Sequence, residues 1–213
     1  EDTDYLVKRA LAIYQSTQGA FDISIYPVMQ LWGFTTGDFA VPSKEDLAAK
    51  LALVNAGRIS LTEDNGVSSI TLPEGMEIDL GGIAKGYTSG RVMEVMKRYG
   101  IESAVINLGG NAHVLGSKPD GSAWKVGIQD PNDTNGYLGG VSVRNKAIIT
   151  SGGYERYFVD EATGVKYHHI IDPATGKPAE SGLTSVTIIC KDGTKADALS
   201  TALYVMGLDD ALA

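Results

Sequence analysis

Apolar residues recur at three- and four-residue steps near the end of the chain, where Ala198, Leu199, Ala202, Leu203 and Met206 fall on one face. That period predicts a helix starting near Lys195. A second amphipathic stretch predicts a helix over 3–18 that Gly19 ends. Residues 20–34 are apolar and aromatic, and Pro27 marks the start of a short helix there. Ser43-Lys-Glu-Asp46 reads as an N-cap that opens a helix running to Val54. A further helix is expected from about Ile83 to Tyr99, closing at Gly100. Short apolar or alternating runs elsewhere predict strands near 57–61, 67–72, 76–79, 104–107, 112–116, 124–128, 139–143, 147–150, 154–159, 167–171 and 184–190. Helices are few, strands are mostly consecutive, and several links are short and rich in Gly, Asn or Asp. The expected fold class is therefore α+β with largely antiparallel sheets, not a doubly wound parallel sheet.

The chain has 213 residues, 43% hydrophobic and 21% charged, enough for one large domain or two small ones. Its net charge of −8 argues against nucleic acid or an anionic membrane as the main partner. No apolar run is long enough to span a bilayer. The first residues already read as an amphipathic helix and the last stop just after one, so both ends read as cuts inside a longer gene product. The single Cys190 closes the apolar run Val186-Thr-Ile-Ile-Cys190 and reads as a buried strand thiol, with no disulfide and no cysteine metal site.

Asp197 and Thr201 are four residues apart on the last helix and so share a face. A carboxylate and a hydroxyl pointing the same way suit a hard divalent cation such as Mg²⁺, and hence phosphate chemistry. The plainer reading has Asp197 capping the helix and Thr201 bonding back to a carbonyl. In Ile78-Asp79-Leu-Gly-Gly82-Ile-Ala-Lys85-Gly86-Tyr87, a strand ends at a carboxylate, a glycine pair follows, and a helix begins with a lysine in its first turn. Free N–H groups, the helix dipole and Lys85 make a plausible cradle for a pyrophosphate; an ordinary turn with an exposed lysine is the alternative. No GxGxxG or Walker A pattern occurs, which disfavours a Rossmann dehydrogenase or P-loop NTPase. His168 and His169 are adjacent on an expected strand, so their side chains point to opposite faces; a cleft-facing one can serve as a general base or as a hydrogen-bond donor to phosphate, with a structural role as the plainer reading. His113 reads as structural. Ser151 lacks a nucleophile elbow and reads as backbone lining a ligand or as a bulge, and Asp22 reads as a cap. Asp79-Leu-Gly-Gly-Ile-Ala84 is echoed by Asn107-Leu-Gly-Gly-Asn-Ala112, which is either chance or the mark of two related halves.

Taken in order, Gly19-Ala-Phe-Asp22 with Leu31-Trp-Gly-Phe34, Asp79-Leu-Gly-Gly-Ile-Ala-Lys-Gly86, Asn107-Leu-Gly-Gly-Asn111, Trp124-Lys-Val-Gly-Ile-Gln-Asp-Pro131, Ser151-Gly-Gly-Tyr-Glu-Arg156, His168-His-Ile-Ile-Asp-Pro-Ala-Thr-Gly176 and Ala196-Asp-Ala-Leu-Ser-Thr-Ala202 resemble the motifs of the ApbE family, the flavin:protein FMN transferases. The resemblance covers essentially the whole chain. It implies an α+β fold of two T-fold-like units, FAD as substrate and Mg²⁺ as cofactor. It implies transfer of FMN to a Thr or Ser hydroxyl of a target flavoprotein with release of AMP; FAD hydrolysis to FMN and AMP, or flavin binding without catalysis, are the alternatives. Carried over by position, Asp197 and Thr201, with Ser200 and the carbonyl of Gly82, would hold the metal. Ala20, Phe21, Asp22, Asp79, Lys85 and Ile171 would contact FAD, and His169 would be the base near the pyrophosphate. The resemblance further implies that residues 1–213 form one transferase domain lacking the family's N-terminal strand and C-terminal tail. An extracytoplasmic, lipoprotein location follows from it too, with any lipid anchor lying outside this chain.

Overall fold

In the computed structural model, residues 2–133 and 135–213 are described. They divide into two compact units, one holding residues up to Leu80 with Gly153–Leu183 and Ala202–Ala213, the other Gly81–Gly152 with Thr184–Thr201.

The first unit opens with α1 (Asp2–Ser16), which ends where Gln18 and Gly19 take positive φ. Asp22 then caps a 3-10 turn, Ile23–Ile25, that leads into α2 (Tyr26–Leu31), with a proline in its first turn. Ser43 caps α3 (Lys44–Leu51) by accepting from the Asp46 N–H at 3.0 Å. This helix stops three residues before the expected Val54, and the expected strand at 57–61 is displaced by a 3-10 turn at Ala56–Arg58. β1 (Ser60–Asp64) and β2 (Val67–Thr71) then form an antiparallel hairpin. The core of the unit gathers Val28, Met29, Trp32, Phe34, Leu47 and Ile171. Trp32 anchors it in two ways, packing on Tyr167 at 5.1 Å between rings and donating from Nε1 to the Gly176 carbonyl at 2.8 Å.

The second unit begins with α4 (Gly81–Arg98), followed by β3 (Ala104–Leu108), β4 (Asn111–Leu115), β5 (Trp124–Gln129), β6 (Tyr137–Val143) and β7 (Lys146–Gly152). After β8 (Tyr157–Val159) and β9 (Lys166–His168), which pair in the first unit, the chain returns with β10 (Ser185–Cys190) and α5 (Gly193–Met206), whose residues from Ala202 onward belong to the first unit together with α6 (Leu208–Leu212). A four-stranded sheet in the order β10-β7-β4-β3 is antiparallel throughout. Strand alternation sorts β7: Ala147 and Ile149 pack against Ala196 of α5, while Ile148 packs with Ala112, Val114 and the β5–β6 ribbon. All the named strand pairs are antiparallel, so the fold is α+β with antiparallel sheets.

Other expectations fail for identifiable reasons. Residues 76–79 form no ladder: the Met76 N–H donates to the Pro73 carbonyl at 3.1 Å within a local turn, the Asp79 N–H donates to the Ile23 carbonyl at 2.7 Å, and the segment pairs with none of the named strands. Residues 154–156 form a turn rather than the start of a strand, and Ile171 makes only an isolated bridge to Pro178. The two diglycine echoes are not equivalent. Gly81 and Gly82 are the first residues of α4 itself and lack positive φ, so no bend precedes the helix there. Gly109 and Gly110 instead have φ of 58° and 91° and make the two-residue turn of the β3–β4 hairpin.

Candidate active site

Helices α4 and α5 are in close contact at two glycines, Gly86 and Gly193. A Cβ on Gly86 would collide with the Gly193 carbonyl and lie 2.7 Å from the Cβ of Asp197, and one on Gly193 would lie 2.6 Å from the Gly86 carbonyl. This contact brings Asp197 against the backbone of α4. Its Oδ2 accepts from the Gly86 N–H at 2.8 Å, and its Oδ1 accepts from the Asn111 side-chain amide at 3.0 Å. Asp197 is only 4% exposed. Burial pushes its carboxyl above the ordinary value, while the Gly86 N–H, the Lys85 charge and Asn111 pull the other way. Asp197 is thus not the cap of α5. That place belongs to Asp192, whose Oδ1 accepts from the Lys195 N–H at 3.0 Å.

One turn further along α5, three hydroxyls meet. Ser151 is on the same face of β7 as Ile149, which turns it toward α5. Its Oγ lies 2.8 Å from Ser200 Oγ and 3.1 Å from Thr201 Oγ1. It is Ser200 and not Thr201 that bonds back along the helix, donating to the Asp197 carbonyl at 2.8 Å. Behind α4, Ser89 donates to the Gly86 carbonyl at 2.9 Å, so its contact with His113 at 3.1 Å takes the proton of His113 Nδ1. Burial, helped by Lys97, holds His113 below the usual imidazole value, and His113 is structural as expected.

Asp197, Thr201, Ser200, Gly82 and Lys85 therefore all belong to the second unit, the last two on the opening turns of α4. Among the described residues no group of three His, Cys, Asp or Glu could hold a metal. The donors available are one carboxylate with hydroxyl and carbonyl oxygens, a hard set that fits Mg²⁺ and not a thiol- or imidazole-seeking metal. Asn111 and Ser151 were the residues that sequence reasoning left without a side-chain role. Each stood in a recognised motif, but its contact depends on sheet register and on the position of α5.

The other candidates lie in the first unit. Ala20, Phe21 and Asp22 follow the turn at 17–19 that ends α1, and Asp79 joins them through its N–H bond to the Ile23 carbonyl. Asp22 caps as expected: Oδ1 accepts from the N–H and hydroxyl of Ser24 at 2.7 and 2.6 Å, and Oδ2 accepts from the Ala56 N–H at 3.0 Å. Phe21 and Ile171 are buried, the latter in the Trp32 core. His168 and His169 have different surroundings. Nε2 of His168 donates to the Ala179 carbonyl at 3.2 Å, and its Nδ1 accepts from the Ile170 N–H at 3.3 Å. Burial lowers the pKa of His168. His169 stands just beyond β9, and its Nδ1 donates to the Arg156 carbonyl at 3.1 Å, which leaves Nε2 as the basic nitrogen. Cys190 is a free thiol at the end of β10 that is half-buried rather than buried as expected, because it sits at the strand's last position and donates to the Asp192 carbonyl.

Comparison with known proteins gives the same direction throughout. The chain is 37% identical over 205 residues to a FAD:protein FMN transferase of Klebsiella pneumoniae, covering 96% of this chain and 62% of that protein. It therefore spans less than two thirds of the relative's length. The crystal structure of the ApbE protein of Thermotoga maritima superposes with a TM-score of 0.90 at 38% identity, over 98% of this chain and 67% of that one. The apo form of the Pseudomonas stutzeri flavinyl transferase ApbE gives 0.85 at 33% identity, over 100% and 65%. The ApbE family profile matches residues 1–213, and the chain belongs to the ApbE family.

Proposed function

We propose that the protein transfers FMN from FAD to a Thr or Ser hydroxyl of a target flavoprotein, releases AMP, and uses Mg²⁺ as its cofactor. The observation that carries this reading is the buried Asp197 carboxylate, held on both oxygens by neutral donors and carried on the same helix face as Thr201. The names of the relatives support flavin transfer as the activity. Asp197 and Thr201, with Ser200 and the Gly82 carbonyl, would hold the cation. Bound there, Mg²⁺ would supply charge neutralisation at a pyrophosphate.

The chain's own groups supply the rest. Lys85, whose charge already acts on Asp197, is a cation on α4 available to phosphate oxygens. His169 has its Nδ1 proton fixed on Arg156, so Nε2 is the atom that would accept the proton of the acceptor hydroxyl. The oxygen so freed forms a bond to the FMN phosphorus, the bond from that phosphorus to the bridging oxygen breaks, and AMP leaves with that oxygen. Ala20, Phe21, Asp22, Asp79 and Ile171 complete the expected FAD contacts. The match over residues 1–213 supports reading the chain as part of one transferase domain. The reading includes an extracytoplasmic location with membrane attachment only through a lipid anchor outside this chain, which fractionation of producing cells would test.

The experiment is incubation of the protein with FAD, Mg²⁺ and a Thr-containing target peptide, read by mass spectrometry for added FMN and by release of AMP. The parent should give both, and Asp197→Ala should give neither while keeping its circular dichroism. AMP without the adduct would replace the proposal with FAD pyrophosphatase activity. Flavin binding without AMP would replace it with a non-catalytic flavin-binding module.

A further inference from the structure

Three hydroxyl protons and four oxygens on α5 and β7 admit only one arrangement that satisfies every short contact. Ser200 Oγ lies 2.8 Å from the Asp197 carbonyl, which accepts and never donates, so the Ser200 proton belongs there. Ser200 must then accept across its 2.8 Å contact with Ser151, and the Ser151 proton is committed to it. Ser151 in turn has no proton left for Thr201, so across their 3.1 Å contact Thr201 is the donor. The protons run Thr201 to Ser151 to Ser200 to the Asp197 carbonyl, all within the second unit. Any reversal would set two oxygen lone pairs face to face at hydrogen-bond distance.

This order has a consequence for Thr201. Its single proton is turned into the protein, so both lone pairs of Oγ1 are turned away from Ser151. Ser200, 0% exposed, keeps one lone pair only. We infer that Ser151 is a positioning residue for cation binding: by taking the Thr201 proton it presents the Thr201 oxygen as an acceptor, poised for a hard divalent cation held with Asp197. The inference rests on the metal site proposed above. Outer partners of this kind fix ligand orientation and contribute affinity without touching the ion.

The test uses the full chain and Mn²⁺ as a spectroscopic substitute for Mg²⁺, with free and bound ion counted by electron paramagnetic resonance. Ser151→Ala should weaken Mn²⁺ binding by about tenfold, and Ser151→Thr, which restores the hydroxyl, should recover most of it. In a Thr201→Val background, where no hydroxyl remains to be oriented, Ser151→Ala should change affinity by less than about twofold. Ser151→Cys, close in volume and a poor hydrogen-bonding group, should follow Ser151→Ala and replaces it if the alanine variant does not fold. Equal losses in the parent and Thr201→Val backgrounds would make Ser151 a general structural residue and overturn the inference. So would Mn²⁺ affinity unchanged by Ser151→Ala. A parent chain that binds no Mn²⁺ would instead overturn the metal site itself.

Discussion

Gly86 serves three neighbours at once: its N–H goes to Asp197, its carbonyl accepts from Ser89, and its missing Cβ leaves room for the Gly193 carbonyl. A methyl group there meets backbone, which cannot move aside as a flexible side chain could. Gly86→Ala should therefore destabilise the protein by about 1–3 kcal/mol and displace Asp197, which chemical denaturation together with a loss of Mn²⁺ binding would register. At this scale the sequence was partly legible. The pairing of Asp197 with Thr201 needed only helical period, and Asp22 as a cap needed only its position after Gly19. The partners of Asp197 could not be read the same way. Asn111 lies 86 positions and Gly86 111 positions away along the chain, and nothing local to either residue specifies that separation.

Among the elements, helices were the most legible because their apolar period persists over many turns, as in α1, α4 and α5. Short strands were less so. Residues 76–79 have a strand-like composition but find no ladder, and β8 and β9 shrink to three residues each because a turn at 154–156 and the bend at His169 interrupt them. A strand exists only with a partner, and partners are a property of the fold. Two histidines tie elements together in neutral form, His113 between β4 and α4 and His168 between the last residue of β9 and the Ala179 carbonyl. For both, burial puts the folded-state pKa below the unfolded value. Their contribution to stability is thus present above the unfolded value of about 6.5 and is lost as pH falls through it toward the folded value. Thermal melts at about pH 7.5 and about pH 5 should show an acid-side loss, and the loss should be smaller in His113→Asn and in His168→Asn. Melting curves whose pH dependence is untouched by either change would contradict this.

For the whole molecule, a net charge of −8 makes an anionic dinucleotide an unlikely guest unless positive charge is concentrated where the phosphates sit. Folding also buries a carboxylate whose named hydrogen-bond donors are all neutral. A cation that binds the folded chain and not the unfolded one should raise stability by about 2.7 kcal/mol at ~100 times its Kd. Mg²⁺ should accordingly raise the melting temperature of the parent and leave that of Asp197→Asn unchanged; an equal rise in both would place the ion elsewhere. The order of elements and the antiparallel character of the sheets were available from alternation and short links, and two units were among the expectations, whereas which segments distant in sequence come together in each unit was not legible. One last point concerns the clamp on Asp197. A carboxylate pinned through each oxygen has lost the freedom to swivel and embrace an ion from both sides. At the proposed cation site it would offer a single fixed point of contact, which would favour a small ion with strict octahedral demands and penalise calcium, whose larger shell relies on ligands that yield.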